Sequence, residues 1–569
     1  MQKEMSKLQI RAEVLMMLQQ LSVFEDIPKS ETDKYLTQFQ SFENIDDILE
    51  ILLKELPRSD SKKSQIIAYF LIELGNLEKL KDKLWAYIKD SGSSDDLKDL
   101  SGVILKSLGD SSTPDELLSY LNNPEELVDK ETQKLLETAS INPEAQIDFL
   151  DFLFSLPPDE QINLINSMTE DFTNKYLANV FIPALESNPS EKMSAIIIKA
   201  LGEIRSPYAV ASLNDISKYS KNENLKKLAK KSLNMLKISG VNMEEALKKP
   251  LGSEICKISN IYKCYASIID GAGNQGIIVS RKKENGDILT FSTVINDIDG
   301  IIDCFGFYGI SGDDYIRIIN KFQGQLAAAP VSPEYCKYKL LQAENTNKTL
   351  NNPIRYEYLS WKSLLSDIDP ISIEYIAKKL PEWSNPAHLK NTYALFNHPE
   401  FKHWFLGNDH SNFLKSFLSK ILQDVLKNRD NYINTPDILL NQLENNVNLA
   451  IPKVFNSNLI ILYKLRLSEV AYLFDIQGME NLRNIAASIV MQLRNITKPD
   501  NSTLFFECIL KKSVIEYLLG YQYRLEQKIA PVPKSLWKKK EQIKDIDFMS
   551  QEISRIIDIL ITEWRERND

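Results

Sequence analysis

Cysteine is scarce in this 569-residue chain: the five present (Cys256, Cys264, Cys304, Cys336 and Cys508) are odd in number and include no C-x-x-C pair. That argues against a disulfide framework and against a zinc knuckle, so reduced, structural thiols are the expectation. Histidine is scarcer still, with four residues, all between positions 388 and 410. No stretch approaches the roughly 18 consecutive apolar residues that a membrane-crossing helix needs. The start, MQKEMSKLQIRAEVLMMLQQL, lacks the cationic opening, unbroken apolar core and small-residue cleavage site of a secretory signal. A cytoplasmic protein is expected, which leaves the sequons at Asn347, Asn495 and Asn501 without meaning. Positive charge is also in deficit. A net charge of −10 and a pI near 5.3 argue against a molecule that wraps nucleic acid with its whole surface, although a local basic patch remains open.

What is present is apolar spacing. With 43% hydrophobic and 26% charged residues the chain has the composition of a soluble globular protein and the length for several cores. From the start to about residue 245, amphipathic segments of helical period alternate with short polar turns, and strand-like alternation is nearly absent. Thr113-Pro114-Asp115-Glu116 and Pro189-Ser190-Glu191 are helix-start patterns, with a capping hydroxyl and acidic residues in the first turn.

Within this region the stretch A-L-G-x-I-x-S-P-x-A-V-x-x-L, at 200 to 213, is followed by a helix carrying Leu225, Leu228, Ala229, Ser232 and Leu233 on one side. It resembles the HEAT-like repeat family, most clearly over 194 to 238. Residues 67 to 109 give a looser echo, in which Leu74-Gly75-Asn76-Leu77 parallels Leu201-Gly202-Glu203-Ile204. The resemblance implies helix pairs stacked side by side, each covering its neighbour's apolar stripe, in a solenoid whose long free face docks partners.

Character changes near Pro250. Residues 262 to 308 are rich in Ile, Val, Tyr, Phe and Gly, and "YKCYASIID", "GIIVSRKK" and "DILTFSTVIN" predict strands. Between the last two, Glu284-Asn285-Gly286-Asp287 predicts a two-residue hairpin of type I′. Ser311-Gly312-Asp313-Asp314 opens a helix to about Phe322, and a second runs from Pro333 to about Glu344. After Trp361 the pattern is helical to the end. The organisation predicted is mainly α: a HEAT-like helical array over 1–250, a small α+β module with an antiparallel meander over 251–350, and a helical domain over 351–569.

Several patterns raise chemistry. Gly271, Gly273 and Gly276 form G-x-G-x-x-G, but a dinucleotide site needs a helix after the glycines to face the pyrophosphate, and here β-branched residues and a hairpin signal follow. A turn between antiparallel strands is the reading, with no cofactor expected. Arg281, Lys282 and Lys283 read as a solvated strand end, or else as a contact for an anion. "NDIDGIID" at 296 to 303 imitates a calcium loop, yet that alignment puts Ile295 and Gly306 where the anchoring carboxylates belong. Asp297, Asp299 and Asp303 remain candidates for a looser metal site, and Ser311 fails as a nucleophile elbow because Asp313 stands where its second glycine belongs.

The histidines His388, His398, His403 and His410, with Glu400 or Asp409 adding oxygen, are a further metal candidate, His398 and His403 foremost. Their spacings of ten, five and seven residues lack the i, i+4 pair of a helical zinc site, and Phe401, Trp404 and Phe405 around them suggest aromatic packing instead. Finally, Lys511 to Lys544 holds nine Lys or Arg against three Glu, with Tyr517, Tyr521, Tyr523 and Trp537 interspersed. Lys511, Lys512, Arg524, Lys538, Lys539 and Lys540 are its candidate anion or nucleic-acid contacts, set against an ordinary solvated face. The leading expectation is a non-catalytic cytoplasmic scaffold that binds a protein partner. The alternatives are a metal-dependent hydrolase or transferase with its site between the module and the last helical region, and nucleic-acid binding through 511–544.

Overall fold

Capping side chains begin four of the N-terminal helices α1 (Lys7–Leu21), α2 (Lys29–Gln40), α3 (Ile45–Glu55), α4 (Ser61–Leu74), α5 (Leu77–Lys89) and α6 (Asp95–Ser107), namely α1, α4, α5 and α6. Ser6, Asp60, Asn76 and Ser94 each accept a hydrogen bond from the backbone N–H three residues on, supplying donors at helix ends with the acceptors they lack. These coordinates are a computed structural model, which describes residues 6–24, 27–111, 117–171, 176–187, 189–247, 251, 253–325, 328–371, 373–407, 410–496, 503–527, 529 and 542–566. The predicted start at 113–116 lies outside these. Helix dominates the described residues, with one five-stranded antiparallel sheet in the middle of the chain. No described helix is long and apolar enough to cross a membrane.

Helices α1 to α6 enclose a first core built from side chains such as Ile10, Val14, Leu52, Phe70, Leu71 and Leu84. Polar ties join it to the next stretch of chain: Asp95 accepts the N–H groups of Asn122 and Asn123 at 2.8 and 2.6 Å, and Lys130 pairs with Asp96 at 2.6 Å.

A second core lies within α7 (Pro124–Ala139), α8 (Pro143–Ser155), α9 (Pro158–Asp171), α10 (Leu177–Glu186), α11 (Glu191–Glu203), α12 (Ala209–Tyr219) and α13 (Glu223–Ile238). From α8 onward helices pack on their second neighbours, α8 on α10 and α10 on α12, α9 on α11 and α11 on α13, while α12 also packs along α13 and α7 lies against α8 and α10. A close approach lies at Gly202 of α11, where a Cβ would stand 2.8 Å from Cβ of Ser232 on α13. The Ser232 hydroxyl uses that proximity to bond the carbonyl of Ile198 at 2.8 Å. Helix α10, "LANVFIPALE", is apolar except for Asn179 and Glu186 and is buried from Leu177 to Leu185, as a helix with neighbours on all sides is.

The sheet runs in the order β4-β3-β2-β1-β5, with β1 Ser259–Ala266, β2 Asn274–Lys283, β3 Ile288–Asn296, β4 Gly300–Ile310 and β5 Ala329–Pro330. Both faces are covered. Tyr265, Ile278 and Ile288 meet Tyr315 and Ile319 of α14 (Gly312–Gln325) on one side. On the other, Ile277, Val279, Leu289 and Phe291 join Tyr335 and Leu340 of α15 (Pro333–Leu350) and Trp361 of α16 (Tyr356–Trp361). Double coverage explains why the strands read as near-continuous apolar runs.

Three details differ from the sequence reading. Strand β4 has no clear signal in the sequence, because "GIIDCFGFYGI" carries three glycines and an aspartate that disfavour strands. The hairpin at 284–287 exists, but only Gly286 takes positive φ (97°), so the turn is not type I′. Asn285 instead folds its side chain onto Asp287, accepting that residue's N–H at 3.0 Å, a local bond that replaces the left-handed conformation. The helix from Pro333 also continues past Glu344 to Leu350, closed by Asn351 in the left-handed region.

The core of this inner face is continuous with that of the last helices: α17 (Ile373–Trp383), α18 (Asn412–Asn434), α19 (Pro436–Val454), α20 (Ser457–Ile476), α21 (Glu480–Arg494), α22 (Leu504–Glu526) and α23 (Gln542–Glu566).

Candidate functional site

Where the second helical block meets the helices on the sheet's inner face, a cleft of about 320 Å³ opens. The sheet positions one wall. Gly306 of β4 has no side chain because the Trp361 ring occupies that space, with a Cβ there only 2.3 Å from the indole, and Phe291 stacks on the same ring at 6.4 Å. Arg281 of β2 then pins the 3-10 turn Lys362–Leu365. Its guanidinium donates to the carbonyls of Ser259 and Leu364 and, at 2.8 and 3.0 Å, to both oxygens of Asp367. Arg281 is therefore buried and not part of a solvated strand end; the charge is stabilised by five-donor geometry matched to carbonyls and a carboxylate.

The opposite wall comes from α8, α10 and α12 and is tied across by named contacts. Tyr356 stacks on Phe154 at 5.3 Å and donates its hydroxyl to Asp151, and Glu144 of α8 accepts the N–H of Tyr308 at 3.0 Å.

Between the walls lies an ionic cluster. Lys362 sits between two carboxylates, 3.0 Å from Glu186 and 3.7 Å from Glu344. Glu186 also accepts from the Ser212 hydroxyl at 2.5 Å, and Glu344 from the Tyr358 hydroxyl at 2.7 Å. Burial by itself pushes the Glu186 carboxyl up, but the Lys362 charge and the Ser212 bond outweigh it and hold it below the usual range. Lys362 shows the mirror case: burial lowers its ammonium, and the two glutamates raise it above an ordinary lysine. A second lysine, Lys337 on α15, lines the same cleft and is pushed down by burial. Its ammonium donates to the carbonyl of Leu365 at 3.1 Å, and no described carboxylate lies within ion-pair range. Ser360 on α16 completes the lining; it is 2% exposed and its hydroxyl has no hydrogen-bond partner among the described residues.

None of these residues stands out in the sequence. Glu186, Lys337, Glu344, Ser360 and Lys362 come from three helices and a turn and form no motif. The one local signal is a glutamate ending the mainly apolar run of α10.

The patterns that the sequence does raise converge elsewhere. Gly271 and Gly273 lie between β1 and β2, and Gly276 lies within β2 opposite Val294; a strand comes after them, not a helix. Gly271 presses against the histidine-bearing segment, where a Cβ would stand 2.3 Å from the His403 carbonyl oxygen. Trp404 donates its indole N–H to the carbonyl of Ile269 at 3.1 Å. Arg466 of α20, 3% exposed, donates to the carbonyl of Gly271 and grips Asp297 with two bonds of 2.7 and 2.8 Å.

Asp297 is thus committed to Arg466. Asp299 is exposed in the β3–β4 turn, and Asp303 on β4 faces Arg355 at 3.5 Å. His398 caps the 3-10 turn Pro399–His403, its Nδ1 accepting the N–H of Glu400 at 3.3 Å, and meets Phe474 edge-on at 5.3 Å; burial lowers its pKa. His403 is exposed. Phe401 and Trp404 stack at 4.5 Å in the aromatic core. Asp409 lies outside the described residues. Among those described, no group of three His, Cys, Asp or Glu is arranged to hold a metal ion, and all five cysteines are reduced thiols.

In the basic segment, Lys511 is buried between Glu507 at 2.9 Å and Glu444 at 3.2 Å, and Lys512 donates to the carbonyl of Phe401 at 2.8 Å. Arg524 is half-buried on α22. Lys538, Lys539 and Lys540 lie outside the described residues. Comparison with known proteins gave no match: neither a family model, nor a curated protein, nor a solved structure resembles the chain significantly.

Proposed function

We propose that the chain is a non-catalytic cytoplasmic interaction protein, in which a HEAT-like array over 1–250 presents a partner surface. In this reading a module over 251–350 couples the array to a helical domain over 351–569. The observation that carries it is second-neighbour packing in two rows, α8-α10-α12 and α9-α11-α13, with Gly202 and Ser232 allowing two helices of one row to touch. That arrangement is what stacked helix pairs require, since no pair buries its apolar stripe alone, and stacks of this kind present extended surfaces to partners. The shared core between the inner face of the sheet and the last helices supports a coupling role for the module.

Co-purification at low salt from the native cell, followed by lysine crosslinking and mass spectrometry, tests the reading. Crosslinks from a stoichiometric protein partner are expected at exposed lysines of the second block, such as Lys192, Lys199, Lys227 and Lys230. A chain that purifies without partner, or whose crosslinks fall on the sheet and last helices, overturns it.

A further inference from the structure

The cleft beside Lys362 carries chemistry that a docking surface does not need. Its volume of about 320 Å³ lies at the lower end of the ~300–1,000 Å³ range of ligand pockets. Its charges are unequally satisfied. Lys362 is held by Glu186 and Glu344, whereas Lys337 spends one N–H on a carbonyl and meets no described carboxylate in ion-pair range. Glu344 and Asp367 act on its charge only from beyond ion-pair range and do not offset the cost of burial, whereas an anion bonded to the ammonium in the cleft would. Ser360 adds a second, independent sign: a hydroxyl enclosed in the lining with no partner among the described residues, where buried polar groups are ordinarily bonded.

We propose that the cleft binds a small organic monocarboxylate with an apolar body, its carboxylate received by Lys337 and the Ser360 hydroxyl. The body is assigned from the rest of the lining, to which Ile141, Ile182, Leu247, Leu251, Leu341 and Leu359 contribute apolar surface. The single charge is assigned from the neighbours. Glu186 and Glu344 border the same space, so a phosphate dianion would face two carboxylates with one unpaired lysine to offset them. This inference is independent of the docking surface proposed above.

The test is calorimetric titration of the full chain with hexanoate, with 1-hexanol and hexyl phosphate as controls, repeated on Lys337→Gln and Ser360→Ala. Saturable 1:1 binding of hexanoate is expected, weakened about ten-fold or more by Lys337→Gln and several-fold by Ser360→Ala, as for loss of charged and neutral hydrogen bonds. Circular dichroism confirms that each variant is folded. Should Lys337→Gln fail to fold, Ser360→Ala decides alone, since no described group bonds its hydroxyl. Absence of hexanoate binding, equal binding of hexanol, tighter binding of hexyl phosphate, or unchanged affinity in the folded variants overturns the proposal.

Discussion

At Gly271 a single hydrogen atom decides how two parts of the chain meet. A methyl group there would lie 2.3 Å from the His403 carbonyl oxygen and 2.5 Å from Cα of Trp404, both backbone atoms that cannot step aside. Gly271→Ala is therefore expected to destabilise the fold by about 1 to 3 kcal/mol, the usual cost of overpacking, measured by urea denaturation. Gly271 looks like part of a phosphate loop in sequence, and its use is close backbone contact; the two roles make the same demand on residue type. Lys512 carries a second residue-scale expectation. Burial pushes its ammonium down to about 8, while an unfolded lysine titrates near ~10.4. Between those values the unfolded chain binds more protons, so stability rises with pH there. Wild type should gain on Lys512→Met from about pH 8 upward, and parallel pH curves for the two proteins would refute the burial of that amine.

Among elements, those with strong local signals were legible. Ser190 and Ser311 cap the helices they precede, and the apolar runs of β2 and β3 are strands because both faces of the sheet are covered. Strand β4 was hidden by its glycines, one of which makes room for Trp361. Local propensity could not reveal that, because the tryptophan lies 55 positions further along the chain. The cleft was illegible for the same reason, as Glu186 and Lys362 come together only once α10 and the turn after α16 have docked. Their ion pair gives a prediction about that contact. Because the native carboxyl of Glu186 is held below its ordinary value, its contribution is complete above the unfolded range near ~4.3 and is lost as pH falls through the native value. Glu186→Gln should cost about 1 to 3 kcal/mol at neutral pH, and the gap from wild type should narrow on acidification, read from denaturation curves between neutral pH and pH ~3.

The described residues form three separate large apolar interiors, and the first, spanning α1 to α6, meets the following chain through polar ties at Asp95 and Asp96 and through Leu117 and Tyr120, the latter edge-on to Trp85. Leu71 is fully buried in that interior, and Leu71→Ala should cost about 2 to 5 kcal/mol locally. By hydrogen exchange, the amides of residues 7–107 should then exchange faster while those of β2 and β3 keep their wild-type rates. Equal acceleration in both would mean one cooperative unit. Tyr308 lies on β4, one of the two edge strands of the sheet, and its amide is already taken by the Glu144 carboxylate. A strand from another molecule therefore finds no donor at that point of the rim, and sheet-to-sheet association would have to begin by prising the helix that carries Glu144 away.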